Sequence, residues 1–330
     1  MNTIEEAVNS LMRYDNFVLT THLNPDGDAL GSLLGLGLAL LNTGKNVVMI
    51  MPHPVPGTFQ FLPGVQQVQQ TVDCLERFDV GIALDCADFN RIGEETRDQL
   101  RKTKTLINID HHVSNQHFGD INIVDPQAAA TGEIICDILL ETKIPITSDV
   151  ATNLYTALVT DTGSFQHHNT TAKCFRTAAF LLECGALHRV VQQNLYEQRS
   201  LESLRLLARG LDSLSLNENA TIAWMTICRD SFLASGASVD DCDGMIDYVK
   251  SLKGVEVGIL FKEVNSDEIK VSFRSKNYLD VNQLAAYFGG GGHERAAGCS
   301  IKGKIEDVKP LVIRKTEEQM AAENYGGLGR

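Results

Sequence analysis

Phe17-Val18-Leu19-Thr20-Thr21-His22-Leu23-Asn24-Pro25-Asp26-Gly27-Asp28, followed at once by a leucine-rich run from Ala29 to Thr43, is the stretch on which the fold turns. Its first five residues read as a buried strand. The run that follows, which contains Gly31, Ser32, Gly35 and Gly37, reads as a helix buried against a sheet. The core of that run, Leu30 to Leu41, is far short of the ~20 residues a membrane-spanning helix needs. The same alternation continues downstream. Asn46 to Met51, Val80 to Leu84 and Leu106 to Ile109 are strand-like, and Glu94 to Lys102, Thr131 to Thr142 and Asp149 to Thr160 are helical. Continuous apolar strands alternating with helices predict an α/β fold with a parallel sheet covered on both faces. Ligands bind such sheets beyond the carboxyl ends of the strands. His22, Asp85 and Asp110 stand at three of those ends.

The chain has 330 residues, 43% hydrophobic and 22% charged, enough for two buried cores. Helical patterns run over Thr171 to Cys184, His188 to Arg199 and Leu201 to Leu214. A smaller α/β unit follows, with strands expected at Thr221 to Cys228, Val255 to Val264, Ile269 to Arg274 and Cys299 to Lys302. Its helices are expected at Met245 to Leu252, Val281 to Phe288 and Ile305 to Ala322, and residues 326–330 are expected to fray. The division read from this pattern is 1–186, a helical connector at 187–216, and 217–330. The apolar helices between Ile134 and Leu158 offer a homodimer face.

Glu5 and Glu6 close behind Met1 argue against a signal peptide, and with no spanning segment the expected location is cytoplasmic, with no membrane partner. The eight cysteines (Cys74, Cys86, Cys136, Cys174, Cys184, Cys228, Cys242, Cys299) are scattered and read as reduced core thiols. A formal charge of −13 excludes the broad basic face that grips long duplex nucleic acid, so a nucleic-acid substrate should be short.

Four segments carry the chemistry. In His22-Leu23-Asn24-Pro25-Asp26-Gly27-Asp28, Pro25 and Gly27 bend the chain so that His22, Asp26 and Asp28 can converge. In Asp85-Cys86-Ala87-Asp88, either aspartate can cap a helix or ligate; its position at a strand end favours Asp85 as a ligand, and Asp88 as a cap or orienting group. In Asp110-His111-His112, neighbouring side chains diverge, so the two histidines should do different work. In Thr160-Asp161-Thr162-Gly163-Ser164-Phe165, a helix ends at an aspartate and a glycine turn. Oxygen and imidazole donors without thiolate suit Mn²⁺ or Mg²⁺. A pair of cations can share a carboxylate, acidify a water and neutralise phosphoryl charge. Without them, four gathered carboxylates repel strongly.

In that order these segments resemble the DHH phosphoesterase superfamily, named for the triplet at Asp110-His111-His112. Gly289-Gly290-Gly291-Gly292-His293-Glu294-Arg295-Ala296-Ala297-Gly298 is similar to the signature of the DHH-associated C-terminal domain, so the match spans nearly the whole chain. The resemblance implies an N-terminal parallel-sheet DHH domain and a smaller C-terminal α/β substrate-binding domain. It implies two Mn²⁺ ions, with Mg²⁺ or Co²⁺ as substitutes. His22, Asp26 and Asp85 would hold one, and Asp28, Asp85, His111 and Asp161 the other, Asp85 bridging. His112 would face the phosphate as electrophile or proton donor. Successive glycines at Gly290, Gly291 and Gly292 let backbone N–H groups approach a nucleotide. His293 can stack on it, Arg274 can clamp a phosphate, and Arg91 and Arg295 are further substrate-binding candidates.

Within the superfamily, the glycine-histidine signature separates this chain from manganese pyrophosphatases. Its length leaves little room for the DNA-binding parts of RecJ-type exonucleases. What remains resembles the nanoRNase group, bifunctional oligoribonucleases and pAp phosphatases. These degrade very short RNAs to mononucleotides, here expected at about two to five nucleotides, and convert adenosine 3′,5′-bisphosphate (pAp) to AMP. The alternatives are a soluble cyclic di-AMP or pApA phosphodiesterase, then a pyrophosphatase or a non-catalytic nucleotide sensor.

Overall fold

The computed structural model describes residues 4–71, 78–265 and 267–326. Cys74 and residues 327–330 lie outside them, as does the side chain of His293. The chain forms two compact units, Met1–Gln198 and Arg199–Arg330.

The first unit is built on six parallel strands: β1 (Asn16–Thr21), β2 (Asn46–Ile50), β3 (Val68–Gln69), β4 (Val80–Leu84), β5 (Thr105–Asp110) and β6 (Ile121–Val124), in the order β3-β2-β1-β4-β5-β6. The order reverses between β1 and β4, which makes their carboxyl ends the topological switch point where such sheets bind ligands. Register then does the positioning. Thr21 pairs with Leu84 and Leu84 with Ile109, so His22, Asp85 and Asp110 follow as a row across three adjacent strands. Neighbouring strands lie ~4.8 Å apart, close enough for these side chains to meet.

Among the described residues the α-helices of this unit are α1 (Ile4–Arg13), α2 (Gly27–Asn42), α3 (Glu94–Leu100), α4 (Thr131–Thr142), α5 (Ser148–Asp161), α6 (Ala172–Glu183) and α7 (His188–Tyr196). Apolar on every side, α2 is buried from Gly27 to Leu40. It lies against α5 so closely that a Cβ on Gly31 would come within 2.4 Å of the Asn153 carbonyl oxygen. The apolar run read as a dimer face is instead interior. Ile134, Ile135, Ile138, Leu139, Leu154 and Leu158 belong to this unit's own core, and Leu140 is exposed. Those side chains are buried within this unit and do not themselves form an exposed face.

The second unit contains α8 (Leu201–Asp212), β7 (Ser215–Leu216), β8 (Ile222–Ile227), α9 (Arg229–Ser235), α10 (Met245–Lys250), β9 (Val257–Asn265), β10 (Glu268–Ser275), α11 (Val281–Tyr287), β11 (Gly291–His293), β12 (Ala296–Lys302) and α12 (Ile305–Gly326). Its sheet runs β11-β12-β10-β9-β8-β7, antiparallel except for the β8–β9 pair. Part of the glycine run supplies the edge strand β11. The seven cysteines among the described residues are free. No helix among them is long and apolar enough to cross a membrane.

Candidate metal centre

Three loops and two helix ends deliver the acidic and imidazole groups to the switch point. Asp26 caps α2, its Oδ1 accepting from the backbone N–H of Asp28 at 3.1 Å and of Ala29 at 3.0 Å. The turn that Pro25 and Gly27 were expected to make is thus a helix start. One residue into α2, Asp28 is 1% exposed. Its carboxylate accepts from Thr131 N at 2.6 Å, Gly132 N at 3.0 Å and Ser32 Oγ at 3.0 Å, so it sits on the first N–H groups of α4.

Asp85 stands immediately after β4 with φ +54, a left-handed conformation uncommon outside glycine. Its N–H continues the sheet to Ile109 O at 2.9 Å, and its Oδ1 accepts from Thr131 Oγ1 at 3.0 Å. Asp161 ends α5, with its Oδ2 accepting from Asn169 Nδ2 at 3.1 Å.

The imidazoles are oriented from outside. His22 Nδ1 lies 2.8 Å from Leu23 O and His111 Nδ1 lies 3.2 Å from Ala128 O. A carbonyl only accepts, so each Nδ1 carries the proton and each Nε2 presents its lone pair. His22 Nε2 is 3.7 Å from Asp85 Oδ2. His111 Nε2 is 3.7 Å from Asp28 Oδ2, 3.8 Å from Asp85 Oδ1 and 3.7 Å from Asp161 Oδ2. These distances exceed hydrogen bonds, yet suit donors that share a cation at ~2.1 Å each. His22, Asp26 and Asp85 form one such cluster and Asp28, His111 and Asp161 another, each with its ligand atoms within 4.8 Å of one another.

His112 diverges from His111, their ring planes 66° apart. Its Nδ1 lies 2.6 Å from Asp110 Oδ1 and 3.6 Å from Asp85 Oδ1. Behind it, Asn115 Nδ2 donates to Asp110 Oδ2 at 2.5 Å and to Asn108 Oδ1 at 2.8 Å.

Electrostatics match a cage that wants positive charge. Burial, then repulsion from Asp85, Asp161 and Asp26, pushes Asp28 well above the usual carboxylate range. Burial also raises Asp26 and carries Asp161 up to about 6. Burial opposes charge on His22, but Asp85 outweighs it and the pKa rises. His112 behaves likewise: against burial, Asp110 and Asp85 raise it to about 9. Asp85 is the exception, because the surrounding histidines overcome its burial and hold it below the usual range. Groups that hold protons this strongly gain from nearby positive charge, and the donor set fits divalent ions.

The other sequence candidates are dispersed. Arg91 is exposed, but its carbonyl accepts from Leu23 N at 2.7 Å, which ties its turn to the His22 loop. Asp88 caps that turn through Asn90 N at 2.9 Å. In the second unit, Arg274 is half-buried on β10, its Nη1 donating to Phe273 O. Gly290 and Gly292 have no room for a side chain: a Cβ would meet Gly298 O at 2.2 Å and Ala296 O at 2.5 Å. Gly291 is open, with the nearest atom, Asn282 Oδ1, 3.7 Å from its Cβ position. Arg295 is engaged by Leu279 O and Glu294. Sequence reasoning passed over Thr131, Gly132, Asn115 and Asn169. The one signal pointing to any of them is the Thr131-Gly132 start of a helix, a ready anion seat.

Comparison with known proteins agrees with this architecture. Residues 16–158 match the DHH family N-terminal domain and residues 220–322 the DHHA1 domain. The chain is 30% identical to the bifunctional oligoribonuclease and PAP phosphatase NrnA of Thermus thermophilus, over 93% of this chain and 91% of that protein. It is 30% identical to the protein of the same name from Bacillus subtilis, over 90% and 92%. It also resembles the crystal structure of an exopolyphosphatase-related protein from Bacteroides fragilis, with a TM-score of 0.88 at 26% identity, covering 98% of this chain and 96% of that one. The row of polar strand ends, the two-domain match and these relatives lead to one conclusion: this chain is a hydrolase of the DHH phosphoesterase superfamily and belongs to its NrnA-type nanoRNase group.

Proposed function

We propose that the protein is a two-metal phosphohydrolase that degrades oligoribonucleotides of about two to five nucleotides to mononucleotides and converts pAp to AMP. The observation that carries this reading is His111 Nε2 within 3.7–3.8 Å of carboxylates from three separate elements, one of which, Asp85, also faces His22. His22, Asp26 and Asp85 would hold one cation; Asp28, Asp85, His111 and Asp161 would hold the other. Mn²⁺ is the first choice, with Mg²⁺ or Co²⁺ as substitutes. When bound, such a pair supplies an acidified water and Lewis-acid neutralisation of phosphoryl charge worth several kcal/mol.

The protein's own groups do the rest. Leu23 O and Ala128 O hold the tautomers of His22 and His111, while Thr131 Oγ1 and the start of α4 hold Asp85 and Asp28 in place. His112, its Nδ1 held 2.6 Å from Asp110 Oδ1, would donate to a phosphoryl or leaving oxygen. The labour would divide between residues 1–186 for metals and 217–330 for substrate, with 187–216 connecting. Arg274, Gly290, Gly291, Gly292, His293 and Arg295 would bind the nucleotide, with Arg91 at the metal-bearing end. The NrnA names of the relatives favour these substrates.

The test is hydrolysis of pAp, pApA, di- to pentaribonucleotides, cyclic di-AMP and pyrophosphate with Mn²⁺. Turnover of pAp and the short RNAs is expected. Brisk pyrophosphate release with pAp untouched would overturn the reading, as would turnover confined to cyclic di-AMP.

A further inference from the structure

Lys262 on β9 and Lys270 on β10 are direct partners in the antiparallel register, and Ser300 on β12 faces Lys270 from the other side. Two residues along β10, Ser272 stands opposite Gly298. Alternation along the strands puts Lys262, Lys270, Ser272 and Ser300 on one face. The opposite face carries Ile269, Val271, Phe273 and Cys299, buried with Leu284 of α11 and with Val308 and Val312 of α12. On the lysine face, among the described residues, the far end is covered where Leu260 joins Met245, Ile246 and Val249 of α10. From Lys262 to Ser300 the sheet stays open: Lys270 and Ser300 are exposed, Lys262 and Ser272 half-exposed. A depression of about 320 Å³ is lined there by Lys262, Lys270, Ser272, Gly298 and Ser300.

Like charges directly opposite across an antiparallel pair repel. Neither lysine forms an ion pair among the described residues. Glu268, the preceding residue of β10 on that face, accepts from Asn265 instead. Lysines are common on edge strands, where they block pairing with other chains. That explanation fails here, because β9 and β10 are interior strands of the sheet. Two cations side by side with no ion pair, flanked by two hydroxyls and with the Glu268 carboxylate accepting from Asn265, in a chain of charge −13, make a seat for an anion.

We propose that this strip is a phosphate track for the backbone of an oligoribonucleotide. Lys262 and Lys270 straddle one internal phosphate, and the hydroxyls of Ser272 and Ser300 donate to its oxygens. Such contacts read charge and spacing and no base, so the track selects chain length. The inference rests on the proposed action on short RNA.

The test compares wild type with Lys262→Met, Lys270→Met and the double variant on a tetraribonucleotide and on pAp, from 50 to 300 mM salt. The double variant should lose at least tenfold more kcat/KM on the tetranucleotide than on pAp, through KM and not kcat. Its log–log salt slope should become shallower by about 1.4, at ~0.7 per lysine on a single strand. Equal losses on both substrates, or an unchanged slope, would overturn the track. A wild type that cleaves no oligoribonucleotide would instead sink the proposed function itself.

Discussion

Asp110 Oδ1 lies 2.6 Å from His112 Nδ1, and Asp110 itself is wholly buried and held from behind by Asn115. The acid therefore sets both the orientation of His112 and its high proton affinity. Asn115→Leu removes the donor that fixes Asp110 without touching any of the six proposed metal ligands. We expect kcat to fall about 10–100-fold, the usual effect of losing an outer-layer partner, with bound metal unchanged by elemental analysis. Parallel loss of metal would show that Asn115 serves the cage as a whole.

Asp85 would be the ligand common to the two proposed cation sites, since its carboxylate lies 3.7 Å from His22 Nε2 and 3.8 Å from His111 Nε2. Asp85→Asn keeps the size and tolerates the left-handed backbone at φ +54, so the fold should persist. Loss of the shared carboxylate should empty both sites and lower hydrolysis by on the order of 10²–10³. Metal stoichiometry and turnover of pAp, measured on the same preparation, check this; a variant that keeps two cations refutes the bridging role.

Cation-free protein should weaken as pH rises. Burial raises Asp161 to about 6 and Asp28 well above its ordinary value, and the carboxylates raise His112 to about 9 despite its burial. Each group binds more protons folded than unfolded. Its contribution is fully present below the unfolded pKa and disappears as pH climbs through the folded one. Between pH 6 and 9 the metal-free Tm should drop, by roughly 5–10 °C. Added Mn²⁺ should restore it at the upper end and release protons on binding near pH 6. Thermal scans with and without chelator decide the sign.

Gly31→Ala would normally help a helix. Here the new Cβ would sit 2.4 Å from Asn153 O and 3.0 Å from the Ala157 Cβ, so α2 must shift away from α5. Because α2 carries Asp26 and Asp28 and α5 ends at Asp161, the shift opens the cage. A destabilisation of about 1–3 kcal/mol, with weaker Mn²⁺ affinity, should appear in denaturant titrations; a more stable variant would contradict the packing described.

The amino-acid order by itself determined the parallel sheet of the first unit and the polar groups at its strand ends. Buried strands and buried helices leave long apolar runs, and His22, Asp85 and Asp110 interrupt them where each strand stops. The short strands β3 and β6 and the glycine strand β11 were not legible, because their pairing comes from neighbours and not from their own patterns. Only the tertiary structure decided which backbone groups hold Asp28, since Thr131 and Gly132 are more than a hundred residues away in sequence. It alone aligned Lys262 with Lys270, and placed Asn115 behind Asp110. Local sequence dictates which face of an element is apolar; register and helix docking determine which polar atoms meet, and those are properties of the folded whole.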